Sequence, residues 1–172
     1  DQPVAGYSRR TFKLNDYVRT YDVSTRVDVE GGAEGGAVIC ERAVYGDGRR
    51  WAHDSIGVTK PAPVWYLAEG STDGGMETFV LVQNPNPDDV PVDITFMTSS
   101  GAVPGPRDFN VPGRSRVTFK VNEFVTDYNV STMVTAEGDV ICERAMYGDG
   151  RTWAHESIGA TVPVQDWYLA EG

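Results

Sequence analysis

Hydrophobic and polar residues alternate with a period of two along much of this chain, which is the signature of half-buried β-strands. In Val92–Met97, Val92, Ile94 and Phe96 face one way and Asp93, Thr95 and Met97 the other. Arg116–Val121 repeats the pattern, with Val117, Phe119 and Val121 opposite Arg116, Thr118 and Lys120. Glu77–Asn84 (ETFVLVQN) is a short apolar run with β-branched residues, stopped by the turn chemistry of NPNPDD. Val130–Ala136 and Val140–Tyr147 predict two further strands. Between them Glu137, Gly138 and Asp139 predict a tight reversal, with Gly138 at the positive φ that such a turn needs. Tyr-Gly-Asp-Gly-Arg occurs at Tyr45–Arg49 and at Tyr147–Arg151. Its Asp-Gly pair predicts a tight hairpin with both central residues at positive φ, returning through WAHESIGAT. Only VNEFVTDYNVS (residues 121–131) is ambiguous, and reads as a single helical turn between strands. About seven strands per unit, with turns roughly every 8–12 residues, predict an all-β fold of antiparallel, immunoglobulin-like β-sandwich type.

The chain repeats itself. VICERAVYGDGRRWAHDSIG (Val38–Gly57) and VICERAMYGDGRTWAHESIG (Val140–Gly159) agree at 17 of 20 positions. WYLAEG at Trp65–Gly70 returns at Trp167–Gly172, a period of 102 residues. SRRTFKLNDYVRTYDVST (Ser8–Thr25) pairs with SRVTFKVNEFVTDYNVST (Ser115–Thr132) at an offset of 107, so the first copy holds five extra residues, placed in EGGAEGGA (Glu30–Ala37). A Gly-rich loop is where an insertion costs least. Residues 65–161 therefore read as a complete β-sandwich module. Residues 1–64 read as the C-terminal part of a preceding one, lacking its opening strands and unable to fold alone. Residues 162–172 read as a linker and the first strand of a following module. The chain has the look of a window cut from a longer tandem array. The twenty-residue sentence reads as a hairpin leading straight into the strand that opens the next module.

The combination of WYLAEG, VLVQNPN, ICERAMYGDG and HESIG resembles a repeat of secreted and cell-surface bacterial proteins carrying W-Y-[LF]-A-E-G motifs. The resemblance covers essentially the whole chain. It implies β-rich tandem modules in an extracellular or cell-surface setting, and no catalytic residue.

Composition changes this picture little. The 172 residues are 40% hydrophobic with a net charge of −10, an ordinary globular balance. That charge argues against nucleic-acid binding, which requires basic patches. The acidity is uneven: residues 1–70 hold 9 basic and 10 acidic side chains (net −1), residues 71–172 hold 6 and 15 (net −9). It suits solubility. No apolar run approaches the roughly 18–20 residues of a membrane span, and no signal peptide is visible.

Candidate chemistry is sparse. His53 and His155 each stand in WAH[DE]S, which invites a hydrolase reading. Strand alternation puts His155 and Ser157 on one face and Glu156 on the other, and no Gly-x-Ser-x-Gly elbow is present. These histidines read as structural, pinning a hairpin. Glu41 and Arg42, with their equivalents Glu143 and Arg144, place charges inside an apolar strand. If buried they must be paired, and since neighbours face apart the partners come from other strands. Cys40 and Cys142, at equivalent places in the two copies, read as separate, buried, reduced thiols. NPNPDD, GDG and STDGG offer oxygen ligands but no EF-hand spacing, and read as ordinary turns with no metal or cofactor. Trp51, Trp65, Trp153 and Trp167 form repeat-equivalent pairs that read as packing, with stacking on sugars as the rival use. Asn129–Ser131 is a glycosylation sequon, whose asparagine is Asp22 in the first copy. The function expected is that of a non-enzymatic extracellular structural repeat protein: a stalk, fibre, filament or surface layer, with adhesion as a further use. Its partners would be other copies of itself or neighbouring repeats. The alternative is a carbohydrate- or cell-wall-binding module contacting surface glycans. Solvent exposure of the four tryptophans discriminates the two. The exposed opening strand at Trp167–Gly172 is expected to find the sheet edge offered by residues 1–64.

Overall fold

The computed structural model describes residues 2–31 and 36–170. Residues 32–35 of the insertion and the last two residues of the second WYLAEG lie outside the described set. Ten strands are formed: β1 Glu41–Gly46, β2 Trp51–Ile56, β3 Ala62–Leu67, β4 Glu77–Asn84, β5 Val90–Thr98, β6 Gly101–Pro104, β7 Phe109–Val111, β8 Ser115–Lys120, β9 Val130–Gly148 and β10 Trp153–Ile158. All pairings are antiparallel. The all-β class is as the alternation predicts, with eight strands rather than seven between Ala62 and Ile158.

Two sheets share β9. Its first half lies between β3 and β5, with β6 and β7 beyond β5. Its second half lies between β4 and β10, with β8 beyond β4. The expected reversal at Glu137–Asp139 does not occur, and Gly138 is not at positive φ. The strand runs on as one 19-residue element. The reason is phase: Val130, Thr132, Val134, Val140 and Cys142 are all even-numbered and all buried, so one face stays inward across the corner. Gly138 sits on that face, where an added Cβ would come within 3.1 Å of the Val90 side chain.

The core between the sheets holds Trp65, Val80, Val92, Ile94, Phe96, Val121, Val134 and Val140. Trp65 is 1% exposed, and its indole N–H donates to the carbonyls of Ala62 and Val140 at 3.0 and 2.9 Å. This ties β3 to β9 across the corner. The NPNPDD turn is organised by the buried Asn84. Its amide donates to the carbonyls of Asp88 and Val111, and its oxygen accepts from the backbone and side chain of Asn86. The ambiguous stretch holds one 3₁₀ turn, Val121–Glu123.

Before Glu41 the described residues form one 3₁₀ turn, Leu14–Asp16, and no strand. Ser8–Lys13 and Val23–Val29, equivalent to β8 and the first half of β9, stay irregular. Residues 21–22 lie over the outer face of the second sheet, where the Asp22 carboxylate accepts from Arg116 and Thr118 at 2.7 Å. The β1–β2 hairpin lies farther along that side, with β2 packed across β10.

Candidate functional site

The two copies of the repeated sentence meet here, and each is first a local structure. Both hairpins close through a four-residue loop, Asp47–Arg50 and Asp149–Thr152, between paired residues Gly46↔Trp51 and Gly148↔Trp153. The expected two-residue turn is thus lengthened, because positive φ extends past Asp-Gly. Asp47, Gly48 and Arg49 have φ of 46°, 63° and 71°, and Asp149, Gly150 and Arg151 have 49°, 63° and 63°. Two non-glycine residues held in the left-handed region cost roughly 1 kcal/mol or more each. In the second copy Arg151 has compensating contacts: its Nε donates to Glu77 at 2.7 Å and it lies over the Tyr147 ring. Gly46 and Gly148 are extended or strand residues of a different need. A Cβ on either would land inside the indole of Trp51 or Trp153.

Each hairpin has two faces. One carries Arg42, Val44, His53 and Ser55, or in the second copy Arg144, Met146, His155 and Ser157. The other carries Glu41, Ala43, Tyr45 and Asp54, or Glu143, Ala145, Tyr147 and Glu156. The first hairpin lays its Arg42–His53 face on the Glu143–Glu156 face of the second. Equivalent residues therefore have opposite fates: His53 and Glu156 are buried, whereas His155 and Asp54 are exposed.

The contact is an ionic cluster capped by aromatic rings. Glu156 is its centre, with a side chain 1% exposed. Its carboxylate is met by the Arg42 guanidinium and by His53 Nδ1. Arg42 Nη2 also reaches Glu143 at 3.0 Å. Because Nδ1 of His53 faces a carboxylate, it carries the hydrogen. Nε2 lies 3.3 Å from the Tyr147 hydroxyl, which donates to it when the ring is neutral. Trp51 stacks parallel to His53, with centroids 5.6 Å apart, and meets Tyr147 edge-on at 5.1 Å.

Burial alone would raise the Glu156 pKa. Hydrogen bonds from His53 and Glu143, with the charge of Arg42, outweigh it and hold Glu156 below the ordinary carboxylate range. Glu143 goes the other way: burial, its hydrogen bond to Glu156 and the charge of Glu156 push it up to about 7. Of the two carboxyls, Glu143 is the one that keeps its proton to higher pH. Burial, with the charge of Glu156, lifts the Tyr147 hydroxyl to about 12. This arrangement clamps two hairpins. His53 has both nitrogens engaged, and Ser55 Oγ donates to the Ile56 carbonyl at 3.4 Å.

The second hairpin uses its Arg144 face differently. Arg144, with a side chain 4% exposed, donates to Glu69 of the first WYLAEG at 3.3 Å and to Nδ1 of His155 at 2.8 Å. Burial lowers its pKa. Glu143 and Arg144 thus each find partners on other elements. Ser157 Oγ donates to the Ile158 carbonyl, away from His155.

Trp65 is core, Trp51 lies in the hairpin contact, and Trp153 and Trp167 are 40% and 60% exposed. Cys142 is fully buried, but Cys40 is only half-buried, because the strands that cover its equivalent have no counterpart over it; both are free thiols. Asn129 of the sequon is exposed. In STDGG, Asp73 accepts from the Gly74 amide, and among the described residues no His, Cys, Asp and Glu gather as a metal site. A cleft of 340 Å³ lies between Tyr21, Phe79 and Phe124. No described helix is long and apolar enough to cross a membrane.

Sequence reasoning singled out His53, Arg42 and Glu143 but paired neither copy with the other, and missed Glu156 and Tyr147. One signal was present: Asp54/Glu156 is one of only three differences between the sentences, and the longer acid is the one that reaches across.

The sequence matches no family model and no curated protein. Among solved structures, it is similar to the Thermotoga maritima protein 1070, with a TM-score of 0.52 and 14% identity over 58% of this chain and 94% of that one. It is also matched to the Anabaena sensory rhodopsin transducer, with a TM-score of 0.42 and 19% identity over 51% of this chain and 91% of that one. The first of these supports the sandwich-like all-β fold and nothing beyond it.

Proposed function

We propose that this chain is a structural repeat protein of the bacterial exterior, built of tandem immunoglobulin-like β-sandwich modules and working as a stalk, fibre or surface layer. One observation carries the reading: the repeated hairpin of one copy docks on the repeated hairpin of the next through opposite faces. A contact between unlike faces is heterologous and has no built-in end. The face of the first hairpin that remains, with Tyr45 64% and Ile56 51% exposed, carries the same residues, apart from Asp54 for Glu156, as the face already occupied on the second. The extracellular setting follows from the resemblance of the repeat motifs. The modules take their bounds from the repeat, residues 65–161 forming one unit and residues 1–64 part of another.

The test is a set of proteins lengthened by one and two further copies of residues 65–166, measured by small-angle X-ray scattering. Stacked copies should extend the maximum dimension by equal steps. A dimension growing as the square root of copy number, as for freely jointed beads, refutes the reading. The carbohydrate-binding alternative is favoured by Trp153, which rests against Gly148 yet is 40% exposed. Glycan-array binding abolished by Trp153→Ala would support it.

A further inference from the structure

Of the six asparagines, only Asn129 is followed two residues later by Ser or Thr. Asp127-Tyr128-Asn129-Val130-Ser131 is thus a complete acceptor sequence for glycosylation of a side-chain amide. The fold does not ask for that asparagine. The equivalent stretch of the first copy, Thr20-Tyr21-Asp22-Val23-Ser24, keeps the tyrosine, valine and serine and has no acceptor. The hydrogen bonds of the loop are made by Asp127 instead. Its carboxylate accepts from the Asn129 backbone N–H at 2.8 Å and from Ser99 Oγ at 2.9 Å. Its carbonyl accepts from the backbone N–H of Thr72 at 3.0 Å and from the Thr72 hydroxyl at 3.2 Å. Asn129 contributes only its backbone to these bonds, and the residue is exposed just ahead of β9. Alternation decides what a sugar there would meet. Val130 and Thr132, 3% and 2% exposed, face the core, so Ser131 between them stands on the outer face of the first sheet. The first hairpin packs across β10, which pairs with β9 only through Glu143–Gly148 at the far end of that strand. A sugar on Asn129 leaves the contact between hairpins free.

We propose that Asn129 is a glycosylation site, modified with an oligosaccharide carried on a polyprenyl diphosphate, before β9 closes on β5. The Asn129 side-chain nitrogen attacks the anomeric carbon of the first sugar. The new C–N bond forms as the C–O bond to diphosphate breaks. The electron pair leaves with the lipid diphosphate, and one amide hydrogen passes to a base of the transferase. The order follows from the ladder. Ser131 is paired opposite Met97 in the folded sandwich, whereas a transferase that grips both the asparagine amide and the serine hydroxyl needs this stretch as free chain. The same order releases the Asp127 carboxylate, which the folded loop ties to Ser99 and to the Asn129 backbone. In free chain it is a charged handle for a cationic transferase. Once the module has folded, the sugar projects from the outer face, where a bulky polar group costs the core nothing. The proposal rests on the reading of the chain as an exterior protein, and names a modification made there.

The test is cell-free synthesis of the full chain with a purified bacterial oligosaccharyltransferase and a polyprenyl-diphosphate oligosaccharide of known mass, read by intact mass spectrometry. With the transferase present during synthesis, one oligosaccharide should be added, and peptide mapping should place it on Asn129. With the transferase added after folding, the modified fraction should fall about tenfold or more, because the ladder must first open. Asn129→Asp, which installs the residue of the first copy, should abolish the addition, and so should Ser131→Ala. Thr20→Asp with Asp22→Asn carries the five-residue pattern to the first copy and should bring a second oligosaccharide. No addition during synthesis, with a short acceptor peptide modified in the same reaction, overturns the site. Equal modification of nascent and folded chain overturns the order. Failure of the second addition while Asn129 is modified overturns recognition by the five residues alone. The glycosylated chain should keep the amide-exchange protection of Val92–Phe96, and its loss would overturn the placement on the outer face. The mass readout does not depend on the scattering steps of the lengthened proteins. Failure here with equal steps there leaves the stacked-module reading standing, so the two are separable.

Discussion

Docking of the β1–β2 hairpin should weaken as pH rises from 4.5 to 7, because of Glu143. Its folded value is about 7 against an ordinary 4.5. The docked state holds this proton more tightly than an undocked state in which the carboxyl is returned to water. Below pH 4.5 both states are protonated and the contribution is complete; it is lost as pH rises through about 7. At 1.36 kcal/mol per pH unit the window is worth about 3 kcal/mol. That is an upper figure, because the Glu143 side chain keeps 21% exposure. Glu156 acts with the opposite sign. Its lowered pKa gives stability that is present above the ordinary carboxylate range and lost as pH falls through it. Docking should therefore be firmest near pH 5, with Glu156 ionised and Glu143 protonated. Amide hydrogen exchange of Glu41–Gly46 and Trp51–Ile56, corrected for intrinsic rates, reads this directly. Protection should fall up to about 100-fold between pH 5 and pH 8, while core amides such as Ile94 and Val134 hold theirs. In Glu143→Gln the hairpin profile should be flat across this window. Hairpin protection independent of pH, or an unchanged slope in Glu143→Gln, refutes the assignment.

Arg42→Ala removes the guanidinium from the buried Glu156, leaving it His53 and Glu143, and should loosen the hairpin by about 2–3 kcal/mol; Arg42 retains 30% exposure, which keeps the figure at the low end. The measurement is the same hairpin exchange, with sandwich amides unaffected. Gly46→Ala and Gly148→Ala both displace an indole, by about 1–3 kcal/mol. Gly46→Ala should cost more in urea or exchange experiments, since Trp51 is fixed between His53 and Tyr147 while Trp153 can swing into solvent. Under native conditions Cys40 should react with a thiol reagent readily. Cys142, fully buried and with its pKa raised by burial and by Glu143, should react only on unfolding; equal rates would contradict this packing.

What the sequence determined by itself is what a few neighbouring residues can complete. Leu14–Asp16 and Val121–Glu123 form the same 3₁₀ turn in both copies, entered through Lys13 and Lys120 with φ, ψ of −86°, 103° and −84°, 110°. Both hairpins form with the same register and the same run of positive φ. Their hydrogen bonds close within the segment, so identity of sequence suffices. Alternation also placed Val92, Ile94 and Phe96 in the core, and the unbroken even phase of β9 was legible had it been followed through Gly138. The tertiary structure alone decided the rest. SRVTFK is a strand at Ser115–Lys120 because β4 pairs with it; the near-identical Ser8–Lys13 has no such partner and stays irregular. A strand's donors and acceptors lie on its flanks and are satisfied only by another strand. In the same way His53 and His155, alike in sequence, are buried and exposed because one hairpin face meets Glu156 and the other meets Glu69. Which face of a two-faced hairpin is covered depends on what lies beside it in space, and within the hairpins only the Asp54/Glu156 difference bears on it.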